Sequence, residues 1–554
     1  MAIPVRRGGR SPQLRLAPQV DFTGGLNAVA DRFLLLPNES PDLLNVDVSQ
    51  RGGVQRRRAV QAWGGYQPFG SATTPSRLFE HRDQVNNSSQ VVATEGGTGA
   101  TNMACGIGAS WTSVTNTGDD EILDHAQMNG KSWFTCGAAP TQSWATPAGV
   151  PDTATTVVPD SHGAYQNDYA TAVGDIFPHA RYVESHGGFM WAAYTDEATT
   201  IYPTRVRFSH PGYADRWAED DWIEIGDEDG DEIVKIASFR DHLLVFMHRS
   251  VHAIFGYSRQ NFQVVKVSSS VGAVSDTGVC VNPEGAWFFS PDRGVYYYNG
   301  DGEPKWAFEK VYPLMDNGYF DDANLDEVQV ASVRSRIWVR VPMADGDHRC
   351  FVFDPTSGAW VAYDVDMRAN VEFQNSDEEV LHVAATGTSN GLVRLEAAAT
   401  YDTFNDAETS TEVGVRSYYT TRWIDGGSPF QPKRFKKPEF IVSGVAAHTI
   451  QVDVFLDYYD GSARKTLLLN VEGTATPNGL VWDDDDGNPD DNALAQWDER
   501  VWAYSSAATQ DEIVRGGSIG GAGRAVALKF RGPDNVQWEI RGFTLKFLPK
   551  KARS

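Results

Sequence analysis

IASFRDHLLVFMHRSVHAIFG, residues 236–256, is three short apolar strands separated by two polar turns, the second at Arg249-Ser250. The stretch has no 3.6-residue periodicity. Alternating or continuous apolar runs of this length, bounded by turns, belong to strands. The same pattern of strand, polar or glycine turn, and strand rich in Val, Ile, Phe and Trp recurs along the chain. It is found at RYVESHGGFMWAAY (181–194), VCVNPEGAWFFS (279–290), VQVASVRSRIWVRVP (328–342) and VEFQNSDEEVLHVAA (371–385). Weaker copies lie earlier, at RLFEHRDQVNNSSQVVATE (77–95) and HAQMNGKSWFTC (125–136). Their turns recur every ~40–60 residues, the period of four-stranded propeller blades. Second hairpins fall between them, turning at Arg293-Gly294 in SPDRGVYYYNG and at Pro355–Gly358 in CFVFDPTSGAWVAYD. The expectation is an all-β chain built on a β-propeller of about seven blades, within a range of six to eight.

Past residue 405 the blade period stops. YDTFNDAETSTEVG is polar and reads as a linker. Six alternating strands follow, beginning with SYYTTRWI (417–424) and ending with VQWEIRGFTLKFLP (536–549), and they read as a β-sandwich of jelly-roll type. The domain reading is therefore an N-terminal arm with its leading strand over 1–60, the propeller over 61–404, a linker over 405–416 and the sandwich over 417–554. A long irregular excursion, VWDDDDGNPDDNALAQW (481–497), interrupts the sandwich strands.

The 554 residues carry 48 basic and 73 acidic side chains, a formal charge of -25. So acidic a surface repels free nucleic acid and anionic membranes, which argues against a conventional DNA-binding protein. The basic residues are unevenly placed: Arg6, Arg7, Arg10, Arg15, Arg56, Arg57 and Arg58 near the start, and Lys546, Lys550, Lys551 and Arg553 at the end. Such an arm suits docking on an acidic neighbour, for instance a second copy; its ordinary reading is a solvated terminus. Cys105, Cys136, Cys280 and Cys350 are scattered, with no C-x-x-C pair, as expected of folding in a reducing cytoplasm. No apolar run is long enough for a membrane helix, and MAIPVRRGGRSPQ lacks the apolar core of a signal peptide.

Most candidate chemistry fails on context. GTSNG (387–391) fits G-x-S-x-G, but strands flank it on both sides, so Ser389 belongs to a hairpin turn and not to a strand-to-helix elbow. The acidic runs around Gly487 and Gly230 lack the ligand order of an EF-type loop. A calcium site of another kind in the Asp483–Asp486 and Asp490–Asp491 loop stays open beside the reading of a solvated acidic loop. His242, His248 and His252 share one hairpin, but His248 and His252 straddle its turn and no cysteine is near, so zinc is not expected. GGSIGGAG (516–523) precedes a strand and reads as a flexible loop. Ser290, Asp292, Gly294 and Tyr297 resemble the Asp-box of sialidases, a structural turn. No catalytic, cofactor-binding or metal-binding residue is assigned, and no enzymatic activity is expected.

DFTGGLNAVADRFLLLPNESPDLLNVDVSQRGGVQRRRA (21–59) resembles the opening of the tail nozzle proteins of short-tailed bacteriophages, also called tail tubular or DNA-stabilisation proteins. The resemblance rests on Phe22, Gly24, Gly25, Leu26 and Asn27, the Leu-Pro-Asn-Glu-Ser-Pro turn, then Leu44, Asn45 and Asp47, and a Gly-x-x-x-Arg-Arg run into the first strand. Residues 239–256 and 272–300 look like the central blades of such proteins, and 420–444 like their C-terminal sheet domain; 96–180 matches nothing. The resemblance implies a structural virion protein, assembled in the host cytoplasm into a ring of six below the portal and adaptor. That ring would carry tail fibres or spikes, pass genomic DNA, hold it until infection, and not insert in a membrane. Two alternatives stay open. One is a tail-tip or baseplate protein of a long-tailed phage that carries receptor-binding proteins; the other is a glycan-binding or glycan-cleaving propeller.

Overall fold

The computed structural model describes residues 13–550 apart from 50–51, 64–67, 70–73, 84–87, 96–101, 108–109, 116–120, 138, 145–176, 198–199, 227–229, 375–379, 388, 398, 400, 407–408, 445, 460, 473–495, 498–499 and 502–511. Its chain folds into two compact units, one of residues 58–355 and 363–413 and the other of residues up to 57, 356–362 and 414 onward. The only helical segments among the described residues are a single α-turn, Tyr312–Asp316, and the 3-10 stretch Asp322–Glu327.

Among the described residues the first unit is a β-propeller of seven blades. Six sheets are made of strands consecutive in sequence: 75–115, 124–144 (three described strands), 179–224, 233–268, 279–306 and 329–354 (its three strands within this unit). In the seventh, Met367–Gln374, Val380–Thr386 and Ser389–Ala397 are completed by Ala59–Ala62, which pairs antiparallel to the third strand, Val393 opposite Ala62 and Ala397 opposite Ala59. The opening strand of each sheet lies beside that of the next from the second blade to the seventh, and the seventh returns to the first. Apolar faces of adjacent blades close on one another. Trp191, Phe208 and Val206 of blade 3 pack with Ile236, Leu243 and Val245 of blade 4, while Phe246 and Leu244 of blade 4 pack with Phe288 and Tyr296 of blade 5. Phe373 and Val383 of blade 7 meet Val91 and Leu78 of blade 1, which closes the circle. The continuous apolar runs of the second strands, such as HLLVFM at His242–Met247, are buried at every position because both faces meet a neighbouring blade.

The second unit is a sandwich of two sheets. One is organised on the 12-residue strand Trp538–Pro549, which pairs with Glu439–Gly444, Lys433–Phe435, Arg15–Gln19 and Val54–Arg56. The other runs Leu43–Leu44, Tyr418–Thr420, Val526–Arg531, His448–Leu456, Lys465–Val471. Aromatic rings join the sheets: Phe440 and Phe543 lie 6.1 Å and 5.7 Å from Phe530, and Phe22 lies 5.3 Å from Tyr419.

Two expected boundaries move. The N-terminal arm is not separate, because Arg15–Gln19, Leu43–Leu44, Val46–Val48 and Val54–Arg56 are all sandwich strands. Arg56 and Arg57 are consequently buried, Arg56 Nη1 donating to the Asp534 carbonyl at 3.0 Å and Arg57 Nε to Asn45 Oδ1 at 2.8 Å, so they are not part of a basic docking arm. Arg6, Arg7, Arg10, Lys551 and Arg553 lie outside the described residues. The 405–416 linker is instead mostly a hairpin, Asp402–Asp406 with Thr409–Val413. Its polar side chains serve the closing strand: Asp402 Oδ1 accepts from Val60 N–H at 2.8 Å and Thr403 Oγ1 from Ala62 N–H at 2.9 Å. These are the outward amides of a sheet edge, which must otherwise be solvated or left as a template for aggregation.

Asp402→Ala leaves the buried Val60 amide without an acceptor, a loss of about 1–3 kcal/mol. The expected result is faster hydrogen exchange at 59–62 than at 242–247; equal protection in variant and parent would mean that the hairpin is not what holds the ring shut.

Candidate functional site

The opening strands of the blades surround a central bore, and its chemistry follows from strand alternation: side chains that do not enter the blade-to-blade cores project inward. Several of those side chains are charged. Arg77, on the opening strand of blade 1, forms an ion pair with Asp276, just before blade 5, so the pair reaches across the ring. Lys235 of blade 4 meets Asp124 of blade 2 at 2.6 Å, over the top of blade 3. The second oxygen of Asp124 accepts from the backbone N–H of Val183 at 3.1 Å, which ties blade 3 to the same carboxylate. Glu184 is next in line, its Oε1 accepting from Ser185 N–H at 3.1 Å. Burial pushes its carboxyl up to about 7; the Asp124 charge adds to this and Lys235 works against it. Tyr182 is raised as well, by burial first and then by Asp276. His81 and His125 share Ser132 Oγ at 2.6 Å and 2.8 Å, and burial lowers His125 to about 3.

A cavity of about 290 Å³ remains beside the Arg77–Asp276 pair, bordered by Thr277, Cys280, Gln329 and Asn370. The Cys280 thiol is pushed up to about 12 by burial, so it stays protonated and a weak nucleophile at neutral pH. The bore thus presents two complementary ion pairs and a carboxyl whose titration burial moves up to about pH 7. Its chemistry is that of a strut between blades.

The residues singled out by sequence motifs are not brought together. Ser389 opens the strand Ser389–Ala397 directly after Val380–Thr386, in a hairpin with no helix behind it. His242 sits between Phe239 and Phe255 with Asp241 at 3.0 Å; His248 meets Glu232 at 3.2 Å; His252 meets Ser250 at 3.2 Å. Among the described residues no group of three or more His, Cys, Asp or Glu is arranged to hold a metal. Asp231, from the acidic run around Gly230, caps the turn between two strands of blade 4, accepting from His248 N–H at 3.1 Å and Arg249 N–H at 3.0 Å. The Asp483–Asp491 loop lies outside the described residues. Gly294 of the Asp-box stretch has φ +78 and lies against the Phe308 ring, in the tight turn before Gly294–Tyr298. GGSIGGAG is not simply flexible: Ile519 is fully buried, and Ala522–Gly523 pairs with Lys433–Phe435. Arg77, Asp124, Lys235 and Asp276 carried no sequence signal of their own, since inward and outward positions look alike until the ring is closed.

No family model matches the chain, and no curated protein does. Solved structures do align with it. The N-terminal domain of BBS1 in complex with ARL6 is 11% identical with a TM-score of 0.35, covering 60% of this chain and 96% of that one. The WD40 domain of Neurospora crassa Pan2 is 9% identical with a TM-score of 0.36, covering 61% and 95%. The extracellular domain of the putative one-component system BT4673 of B. thetaiotaomicron is 9% identical with a TM-score of 0.38, covering 79% and 61%. At such scores the likeness carries no functional argument, and the propeller is established by the order of its own strands.

Two measurements test the strut. Asp276→Ala strands the Arg77 guanidinium in the bore, and removal of one partner from such a pair costs about 3–5 kcal/mol; Arg77→Met with Asp276→Leu recovers most of the loss of thermal stability, whereas equal loss in single and double variants refutes the pairing. Glu184 holds its proton in the folded state up to about pH 7 and releases it near 4.5 when unfolded. The folded chain therefore binds more protons between these values, and stability falls as pH rises from about 5 to 7. Glu184→Gln flattens that decline in the difference between the two melting profiles, and identical profiles would show that Glu184 is solvated.

Proposed function

We propose that this chain is a structural component of a phage virion, the nozzle ring that continues the DNA channel below the portal and adaptor of a short-tailed tail. The observation that carries the reading is the resemblance of residues 21–59, several of whose signature residues have defined structural duties here. Phe22 is fully buried between Tyr419 and Phe543. Gly25 has φ +63, and a Cβ there would lie 2.5 Å from the Trp360 carbonyl oxygen, so only glycine fits. Asn27 Oδ1 accepts from Val29 N–H at 3.0 Å, and Ser40 Oγ donates to the Thr420 carbonyl at 2.7 Å. Asn45, at φ 52, donates from Nδ2 to the Arg416 carbonyl at 2.8 Å while its Oδ1 receives Arg57. The residues on which the resemblance rests are thus ones that this sandwich uses for its own construction, which supports the reading without deciding it.

The charge balance supports the same role. Exiting DNA carries one negative charge per ~1.7 Å, and a wall of like sign keeps it from sticking. With a net charge of -25, the chain can supply such a wall. Arg77 and Asp276 meet across the propeller bore, so the bore of one chain is no conduit for a duplex; in this reading the DNA path is enclosed between copies, six to a ring. The partners are further copies of the chain, the adaptor on the portal side and the fibres or spikes that the ring carries, and the protein does its work by shape and charge, without catalysis.

A symmetry-resolved cryo-EM map of the virion tail tests this. The expected result is a sixfold ring beneath the adaptor with acidic side chains facing the lumen, and loss of packaged DNA when the protein is missing. Density at the far end of a long tail, with DNA retained but adsorption lost, would make it a tip protein; a basic lumen would refute the repulsive wall; absence from the virion would end the reading.

A further inference from the structure

We propose that Asn299 is a site of spontaneous covalent modification, cyclising onto Gly300 with loss of ammonia, independent of the assembly proposed above. Asn-Gly steps favour this chemistry because glycine places no side chain beside the attacking backbone nitrogen. The chain has five, at Asn129, Asn299, Asn317, Asn390 and Asn478. Asn478 and the side chain of Asn390 lie outside the described residues. Exposure would favour Asn129 and Asn317, which are exposed, over Asn299, which is half-buried. Hydrogen bonding reverses that order. Asn129 sits in the tight turn between Met128 and Lys131, and its Nδ2 donates to the Gly212 carbonyl at 2.8 Å, which ties the carboxamide to another loop. Asn317 Nδ2 donates to the Pro313 carbonyl at 2.7 Å, and the nitrogen that would attack, Gly318 N–H, is already held by the Met315 carbonyl at 3.0 Å.

Asn299 differs on each point. It stands in the loop of blade 5 between Gly294–Tyr298 and Lys305–Trp306. Its Oδ1 accepts from Asp301 N–H at 3.2 Å, an Asx turn that encloses Cγ and the Gly300 nitrogen in one hydrogen-bonded ring. The same donor faces the oxygen on which negative charge develops during attack, as an oxyanion site does. Gly300 N–H has no acceptor among the described residues, so no bond has to break before it reacts. In the reaction hydroxide takes the Gly300 amide proton, the nitrogen adds to Asn299 Cγ, and the Cγ–Nδ2 bond breaks as ammonia leaves. Water then opens the succinimide at either carbonyl, giving aspartate or isoaspartate. Isoaspartate puts Cβ into the main chain and displaces the Asn299 carbonyl, which receives Arg240 Nη1 at 2.8 Å. Arg240 also donates to the Glu284 carbonyl at 3.3 Å, so the change loosens the tie between the Arg240 turn of blade 4 and the loops of blade 5.

The test incubates the full chain at mildly alkaline pH in heavy-oxygen water, folded and in urea, and maps its tryptic peptides by mass. The oxygen label separates product formed during incubation from product formed during digestion. In the folded chain, conversion at Asn299 should be at least fivefold faster than at Asn129 or Asn317. In urea, where local sequence alone acts, that advantage should fall below twofold. Equal or slower conversion at Asn299 in the folded chain overturns the proposal, as does an advantage that persists in urea. The aged chain should also exchange amide hydrogens faster than the parent at 239–242 and 282–285, while Asn299→Asp, which adds the charge without lengthening the backbone, should not. Unchanged exchange there after full conversion refutes the loosening.

Discussion

A propeller is a row of sheets until its last blade finds its first, and here that junction is made by four residues. Ala59–Ala62 completes the seventh sheet, whose other three strands come from residues 367–397. Backbone hydrogen bonding between segments more than 300 residues apart converts an open array, with an apolar face exposed at each end, into a circle in which Phe373 and Val383 meet Val91 and Leu78. Long-range closure is entropically costly but grows only slowly with loop length, so a junction between the two ends of a large insertion is sustainable once the blade faces reward it. The hairpin Asp402–Val413 then covers the edge that closure leaves behind.

Closure also explains why charges occupy the centre. Among the described residues seven opening strands converge, and several of the side chains they bring together are charged. Ion pairs between distant blades, Arg77 with Asp276 and Lys235 with Asp124, fill the space and tie blades that share no sheet. Such pairs contribute little net stability against apolar substitutes of equal volume, but breaking one half is costly. The same crowding holds the Glu184 proton and silences the Cys280 thiol. A centre so occupied suits a rigid scaffold.

The sandwich follows a parallel logic. Its central strand, Trp538–Pro549, is twelve residues long and has partners from both ends of the chain, so neither terminal portion forms its sheet alone. The signature residues of the opening segment are the fasteners of that arrangement, each chosen by a local demand: a left-handed backbone at Gly25 and Asn45, a sealed aromatic contact at Phe22, a turn at Asn27.

Alternation, turn chemistry and period made the strands and the propeller readable from sequence, because a hairpin such as 236–256 encodes its own pairing within twenty residues, and the turns at Arg249-Ser250 and Pro355–Gly358 stand where their residue types place them. The lone serine and the scattered histidines were likewise readable as members of strands and turns, since context within a few residues decides them. Pairings between distant segments were not: the polar stretch after residue 401 looks like a linker until Asp402 and Thr403 are seen to cap Val60 and Ala62, and Arg56 and Arg57 look like a basic arm until they are buried. The bore belongs to the same class, for Arg77 and Asp276 are ordinary residues whose meaning is their proximity. Local chemistry determined the elements, and only the tertiary structure, which alone sets distances between remote residues, decided which charges and rings face one another.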